Sequence, residues 1–246
     1  MDHLTVIVLL ALFEISSVVG ITGGYRARNG KFPYQVSLQT DFSEFGNFCS
    51  GSILNENWVL TAASCVLPDP SYYYVVAGTP DWTNLGKYGT KHRIDVVFIH
   101  PDNANDRSID IALIQLENPI QFSKNVKSIN LPDSDIEKPG LPVVVSGWGE
   151  NNKITGEQNK KLHYFNAKVF DRNYCREKYP GLLDSSMCTI SRKGQGVCFR
   201  DSGSPIVAGD VLIGMASNRI SCGNGNPDRN IRIWAFVDWI KSYINE

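Results

Sequence analysis

The chain has 246 residues, 42% of them hydrophobic, which is enough to bury a sizeable core and argues against intrinsic disorder. Its 21 glycines, 12 prolines and 11% aromatic residues favour many short strands joined by turns over a helical bundle. With residues 1–20 set aside, basic residues outnumber acidic ones by one, because Asp2 and Glu14 lie in that segment. This balance argues against nucleic acid, or any other general polyanion, as the partner.

Residues 1–20 have the pattern of a signal peptide. An apolar run at positions 4–13 is followed by small residues that end at Gly20. The segment has no Lys or Arg, so an uncleaved membrane anchor is the alternative, but the apolar run is too short to span a bilayer comfortably. We therefore expect cleavage after Gly20, secretion, no association with a membrane afterwards, and one domain over residues 21–246.

From Phe32 onward, strand-like runs such as YYYVVAG and PVVVSGWG alternate with turn clusters. No helical segments separate these runs, which favours antiparallel barrels or sandwiches over a parallel α/β sheet. Residues 129–142 have the composition of a surface linker between two β halves. Near the end, Phe236, Ile240 and Ile244 recur every four residues, which predicts a C-terminal α-helix.

Four segments carry the most specific motifs: ITGGYRARNGKFPYQVSL at 21–38, NFCSGSILNENWVLTAASC at 47–65, DIALIQL at 110–116 and GVCFRDSGSPIV at 196–207. VSGWG at 145–149 and FVDWI at 236–240 complete the series. In this order the motifs resemble the trypsin/chymotrypsin-like serine protease family over essentially the whole chain after Gly20. The resemblance implies an all-β fold of two six-stranded antiparallel β-barrels with a C-terminal α-helix, and an active site in the cleft between the barrels.

Six cysteines in an exported chain indicate disulfides, but counting alone leaves fifteen possible pairings. The resemblance implies the pairs Cys49–Cys65, Cys175–Cys188 and Cys198–Cys222. A metal site is disfavoured, because no cysteine pair has ligand spacing beside a histidine. We expect neither a metal nor a cofactor.

Hydrolysis of a peptide bond by this family needs a hydroxyl nucleophile, a base, a carboxylate that orients the base, and donors for the oxyanion. The resemblance places Ser202 of DSG at the nucleophile position and Asp110 of DIALI at the position of the orienting acid. Ser64 stands where the family has its catalytic histidine, since TAASC replaces TAAHC. A serine hydroxyl has no accessible basicity near neutral pH, so Ser64 cannot take the proton of Ser202. We therefore expect a pseudoenzyme.

The remaining histidines offer no evident substitute for the missing base. His3 lies in the signal segment, His100 resembles a residue of a surface turn in the family, and His92 and His163 fall in strand-like runs. We expect ordinary structural or surface roles for the last three.

The oxyanion donors are expected to be the backbone amides of Arg200 and Ser202, by resemblance to GDSGGP, which here reads RDSGSP. Arg200 replaces a glycine and brings a Cβ and a long cation to a place of close substrate approach. We expect the oxyanion hole to be misshapen or shielded. The alternative is a surface arginine with the backbone unchanged.

The specificity pocket also departs from the family, in which the equivalents of Gly196, Ser217, Arg219 and Asp228 line it. Arg219 and Asp228 replace two wall glycines, and our hypothesis is that their opposite charges meet inside the pocket and plug it. The alternative is that both point to solvent. Gly196 replaces the acid with which trypsin-like members bind Lys and Arg, so tryptic specificity is not expected.

In the family, a freed N-terminal Ile pairs its α-ammonium with the acid before the catalytic serine, here Asp201. Ile21 directly follows the predicted signal cleavage site, so signal peptidase would free this ammonium without an activating protease. We expect the Ile21–Asp201 ion pair in the mature protein. The alternative is cleavage elsewhere and another partner for Asp201.

Inactive members of the family modulate proteolytic cascades, bind host defence proteins or act as decoys. The compact form with three disulfides resembles the mite group 3 allergens and the inactivated protease paralogues of the scabies mite, which are linked to complement inhibition. The expectation is a secreted, monomeric, non-catalytic protein that binds an extracellular protein partner, such as a host defence or complement protein. The alternative is a slow or unconventional serine hydrolase that uses Ser202.

Overall fold

The computed structural model describes residues 21–41, 46–150, 158–217 and 222–244. The predicted signal peptide at 1–20 lies outside the described residues. Within these ranges, no helix is long and apolar enough to cross a membrane.

After a short first strand, β1 (Tyr25–Arg26), six strands close into an antiparallel barrel. These are β2 (Gln35–Thr40), β3 (Asn47–Ile53), β4 (Trp58–Thr61), β5 (Tyr73–Ala77), β6 (Thr90–Ile99) and β7 (Ala112–Leu116). Their order around the barrel is β2-β3-β4-β7-β6-β5. The β-branched and aliphatic side chains of the strand-like runs, among them Val36, Val59 and Ile114, are fully buried in its core.

The C-terminal half forms the second barrel. Its strands are β8 (Pro142–Gly147), β9 (His163–Val169), β10 (Ser186–Ile190), β11 (Pro205–Ala208), β12 (Val211–Ala216) and β13 (Asp228–Arg232). The ring β8-β9-β10-β13-β12-β11 closes because β8 pairs with both β9 and β11. On β9, buried positions alternate with more exposed ones, so that one face packs inward. β1 pairs with β9 outside this ring. The predicted architecture of two six-stranded barrels is confirmed.

The predicted C-terminal helix is α2 (Val237–Ile244), which follows a 3₁₀ turn over Ile233–Phe236. Ile240 is fully buried, and α2 packs into the core of the first barrel, where Trp58 forms an edge contact with Tyr243. This helix therefore ties the end of the chain to the first barrel.

A second helix, α1 (Arg172–Lys178), has no apolar period in the sequence and was not predicted. The side chain of Asp171 caps its N-terminus by accepting hydrogen bonds from the amides of Asn173 and Tyr174. Cys175 joins α1 to β10 through its disulfide with Cys188.

All three disulfides implied by the resemblance are present in the structure: Cys49–Cys65, Cys175–Cys188 and Cys198–Cys222. Two of them bear on the cleft between the barrels. The first joins β3 to the turn that carries Ser64, and the third holds the segment just before Arg200.

Candidate active site

The carboxylate of Asp110 lies at the meeting point of the two barrels and accepts hydrogen bonds from Ser64 and Ser217. The amide of Ser64 donates to Oδ1 over 2.7 Å and its hydroxyl donates to Oδ2 over 3.0 Å. The hydroxyl of Ser217, just after β12, donates to the same Oδ2 over 2.8 Å. Asp110 is almost fully buried, so these donors offset the loss of its hydration.

Ser64 lies in a 3₁₀ turn over Ala63–Cys65 that packs beside the first barrel. The Cys49–Cys65 disulfide fixes this turn to β3. Ser64 therefore occupies the place that the resemblance assigns to the catalytic base, next to the acid that would orient it, but its side chain offers this acid only a hydroxyl.

Ser202 lies in the turn before β11, pressed against the first barrel. Its carbonyl accepts a hydrogen bond from the amide of Ser50 over 2.9 Å. Gly203 follows with φ 84°, and a Cβ there would collide with the carbonyl of Ser50, so only glycine fits this turn. Within the described part of the chain, the Ser202 hydroxyl has no hydrogen-bond partner.

None of the histidines in the described ranges contacts Asp110 or Ser202. His92 lies on β6 beside Thr90, and His163 is buried on β9 against the carbonyl of Lys161. The ring of His100 packs on Phe236 and on Trp239. Burial lowers the pKa of all three histidines.

The peptide between Phe199 and Arg200 is held in one orientation. The carbonyl of Phe199 accepts a hydrogen bond from the amide of Glu150 over 2.9 Å. Since this peptide is trans, the amide of Arg200 points away from Glu150. Among the described residues, neither this amide nor that of Ser202 has an acceptor, as donors for an oxyanion require.

Arg200 adopts the left-handed conformation, with φ 72°, that favours glycine. Its side chain runs to the second barrel's edge, where Nε lies 3.5 Å from Oε1 of Glu150. Nη1 lies 3.4 Å from both the carbonyl of Asn47 and Oε1 of Gln158. The guanidinium is thus anchored at the edge between the barrels, and none of these contacts involves Ser202. Nothing in the sequence marked Glu150 and Gln158 as its partners. The misshapen or shielded oxyanion hole stays a prediction.

Asp228 begins β13 and is buried, with its carboxylate facing Gly196. A Cβ at Gly196 would lie 3.2 Å from Oδ2 of Asp228. The structure therefore brings these two residues of the predicted pocket together, and the acid at this place comes from Asp228 and not from position 196. Arg219, the proposed partner of Asp228, lies outside the described residues. Ser217 has its hydroxyl on Asp110, a role that its motif alone did not indicate.

Asp201 is fully buried and accepts hydrogen bonds from the amides of Gly149 and Cys198, over 2.8 and 2.9 Å. Burial, together with the smaller effect of the nearby charges of Asp228 and Glu150, raises the pKa of its carboxyl to about 7 against the effect of these donors. A neighbouring cation would favour the ionised form of this carboxyl group and lower its pKa.

The side chain of Ile21 is fully buried in the core of the second barrel, in the same cluster as Val197. Val197 directly precedes Cys198, whose amide donates a hydrogen bond to Asp201. In the unprocessed chain, the nitrogen of Ile21 is part of an uncharged peptide bond, and no ion pair with Asp201 is present. The Ile21–Asp201 pair stays a prediction for the processed form.

Known proteins resemble this chain along most of its length. The sequence profile named Trypsin matches residues 21–240. Chymotrypsin-2 of Vespa crabro is 35% identical over 223 residues, which are 90% of this chain and 98% of the wasp protein. Serine protease 1 of Canis lupus familiaris is 32% identical over 94% of this chain and 93% of its own length. Trypsin II-P29 of Gallus gallus is 32% identical over 91% of this chain and 89% of its own length. With the fold and the positions of Asp110 and Ser202, these matches establish that the chain belongs to the trypsin family of serine proteases.

Proposed function

We propose that this protein is a secreted member of the trypsin family that does not hydrolyse peptides and acts by binding an extracellular protein. The observation that carries the proposal is the contact between Ser64 and Asp110. In an active triad, the acid orients a base that removes the proton of the nucleophile. Here the acid accepts hydrogen bonds from two serine hydroxyls, and neither Ser64 nor Ser217 can act as that base near neutral pH.

The three disulfides support an extracellular location, because such bonds persist in oxidising compartments. The rigid barrels and disulfides would hold surface loops in fixed positions for recognition. The proposed role is to modulate host defence or a protease cascade such as complement. It rests on the resemblance to inactivated paralogues of mites.

A second candidate function, slow hydrolysis at Ser202, is favoured by one observation. The amides of Arg200 and Ser202 have no acceptor among the described residues and remain free to stabilise an oxyanion. Such donors, with binding, sustain a residual 10³- to 10⁴-fold acceleration, on the order found for comparable hydrolases without their triad.

Labelling with diisopropyl fluorophosphate, which phosphorylates active-site serines, distinguishes these functions. We expect the purified mature protein to react at least about 10³-fold more slowly than trypsin, because nothing activates Ser202. Peptide hydrolysis should be no higher than in a Ser202→Ala control. Labelling at the rate of trypsin, or turnover abolished by Ser202→Ala, would overturn the proposal.

A further inference from the structure

The outer face of the second barrel, around β1 and β9, carries a row of aromatic rings with cations near it. We call it the Tyr25–Tyr164 face, and it consists of Tyr25, Lys31, Phe32, Tyr164, Lys168 and Arg192. None of these residues belongs to the candidate active site.

Ring contacts hold the row together. Tyr25 and Tyr164 are cross-strand neighbours on β1 and β9, with ring centroids 5.8 Å apart. Phe32 meets Tyr164 edge to face at 5.3 Å. Phe32 and Tyr164 also pack against the small buried cluster that contains Trp148, which supports them from below. The face is therefore pre-formed and loses little side-chain entropy when a partner binds.

Cations flank the rings at both ends. Nζ of Lys31 lies 4.6 Å from the ring centroid of Tyr164, and Cζ of Arg192 lies 6.0 Å from that of Tyr25. Lys168 is exposed on β9 on the same side of the strand as Tyr164, four residues away. Within the described ranges, none of these three cations forms an ion pair with an acid. Other exposed cations of the protein, such as Arg176 with Asp184, do form such pairs.

The exposed fraction of Tyr25 is 50%, although its ring contacts the ring of Tyr164 and the guanidinium of Arg192. Exposed Tyr and Arg on a rigid base are the residue types that dominate the binding energy of protein interfaces. Cations without an ion pair beside these aromatic residues would bind carboxylates of the partner. An extended sulfated glycan is the less suitable occupant, because the cations are few and the protein as a whole is close to neutral.

We propose that the Tyr25–Tyr164 face is the docking surface for an acidic, aromatic-containing segment of the extracellular partner. The inference rests on the proposed binding function for the existence of such a partner. Its test is independent of that function, because the substitutions lie outside the active site and leave labelling of Ser202 unchanged.

The test uses a fluorescent peptide of four Glu-Glu-Tyr repeats, with Gln-Gln-Tyr repeats as the uncharged control, and measures anisotropy at about 50 mM salt. The variant Lys31→Glu/Arg192→Glu should weaken binding of the acidic peptide at least about tenfold, and Tyr25→Ala at least about fivefold. The matched control is Lys87→Glu/Lys124→Glu. It changes the net charge equally at two cations that flank another ring, that of Tyr88, at 5.4 and 5.1 Å.

The control variant should change affinity by less than about twofold, since it leaves the Tyr25–Tyr164 face intact. Equal losses in the two double variants would mean that only net charge matters, and they would overturn the assignment. Absence of peptide binding would also overturn it. A heparin decasaccharide that binds this face in place of the peptide would assign the surface to anionic glycans instead.

Discussion

Ser64 and Asp110 are joined by two hydrogen bonds, one from the amide of Ser64 and one from its hydroxyl, to the two oxygens of the same carboxylate. The amide contact uses the backbone N–H and would survive any substitution at position 64 except proline. The hydroxyl contact fills the position at which an imidazole would donate to the acid. The geometry around Asp110 is therefore retained, while the group that it would orient is missing.

The first prediction concerns Ser64→His. We expect it to raise the rate of labelling of Ser202 by diisopropyl fluorophosphate about 10³-fold or more, because a base is restored beside Asp110 and the oxyanion donors are unpaired. Ser64→Ala should leave the rate unchanged. If the labelling rate of Ser64→His does not rise, the amides of Arg200 and Ser202 are not available as oxyanion donors.

Peptide hydrolysis by Ser64→His should nevertheless stay below about one hundredth of that of trypsin, because Asp228 places a buried carboxylate against Gly196, where the specificity pocket is predicted. Full recovery of peptide hydrolysis would refute the obstructed pocket. The small phosphorylating reagent and the peptide thus report separately on chemistry and on access.

The second prediction tests this obstruction directly. In the Ser64→His background, Asp228→Gly should raise kcat/KM for peptides with a large apolar residue before the scissile bond at least about tenfold. The substitution removes a buried side chain that lies against Gly196 and leaves its space to the side chain of the substrate. Asp133→Gly, which removes an exposed acid, is the control. An unchanged kcat/KM would show that Asp228 does not limit entry.

The barrels were predictable from the sequence because the alternation of β9 and the apolar runs of β4 and β7 are local signals, and the motifs placed Asp110 and Ser202. The contacts of Arg200 were not predictable. They depend on Glu150 and Gln158, which approach only when the barrels fold, and on the left-handed φ of Arg200, which the residue type disfavours.

Helix α1 was missed for a related reason. Its seven residues are too few for a period of 3.6 to be visible, and its start is set by the cap of Asp171 and its position by the Cys175–Cys188 disulfide. Ser217 likewise had a predicted place in the cleft, but its bond to Asp110 joins residues 107 positions apart in the chain.

The third prediction concerns Glu137, in the linker between the barrels. Its side chain is only 10% exposed, and its carboxylate lies 3.1 Å from Nη2 of Arg172 and 2.7 Å from Nε of Arg232. Glu137→Gln should lower the free energy of unfolding by about 2 kcal/mol, because both guanidinium groups lose a partly buried partner. Urea denaturation monitored by tryptophan fluorescence measures this change.

Asp184→Asn is the matched control, since Asp184 also pairs with Arg172 but its side chain is 87% exposed. A surface pair of this kind contributes little, so we expect a change within about 0.5 kcal/mol. Equal effects of the two substitutions would contradict the claim that burial makes Glu137 the centre of this network.

The fourth prediction concerns Asp201 and the nitrogen of Ile21. In a form with residues before Ile21, burial holds the pKa of Asp201 at about 7, above its ordinary value of 3.8. The folded state then binds more protons than the unfolded state between these values, so stability falls as the pH rises through this window. From about pH 5 to about pH 7, the loss attributable to Asp201 should be about 2 kcal/mol.

A chain that begins at Ile21 should lose much less stability over the same range, because a free α-ammonium beside Asp201 favours the ionised carboxylate and lowers its pKa. The measurement is urea unfolding at the two pH values for the mature chain and for a variant with one methionine added before Ile21. Asp201→Asn in the extended form is the control and should remove this contribution to the pH dependence. Identical pH profiles for the mature and extended chains would show that the ammonium of Ile21 does not reach Asp201.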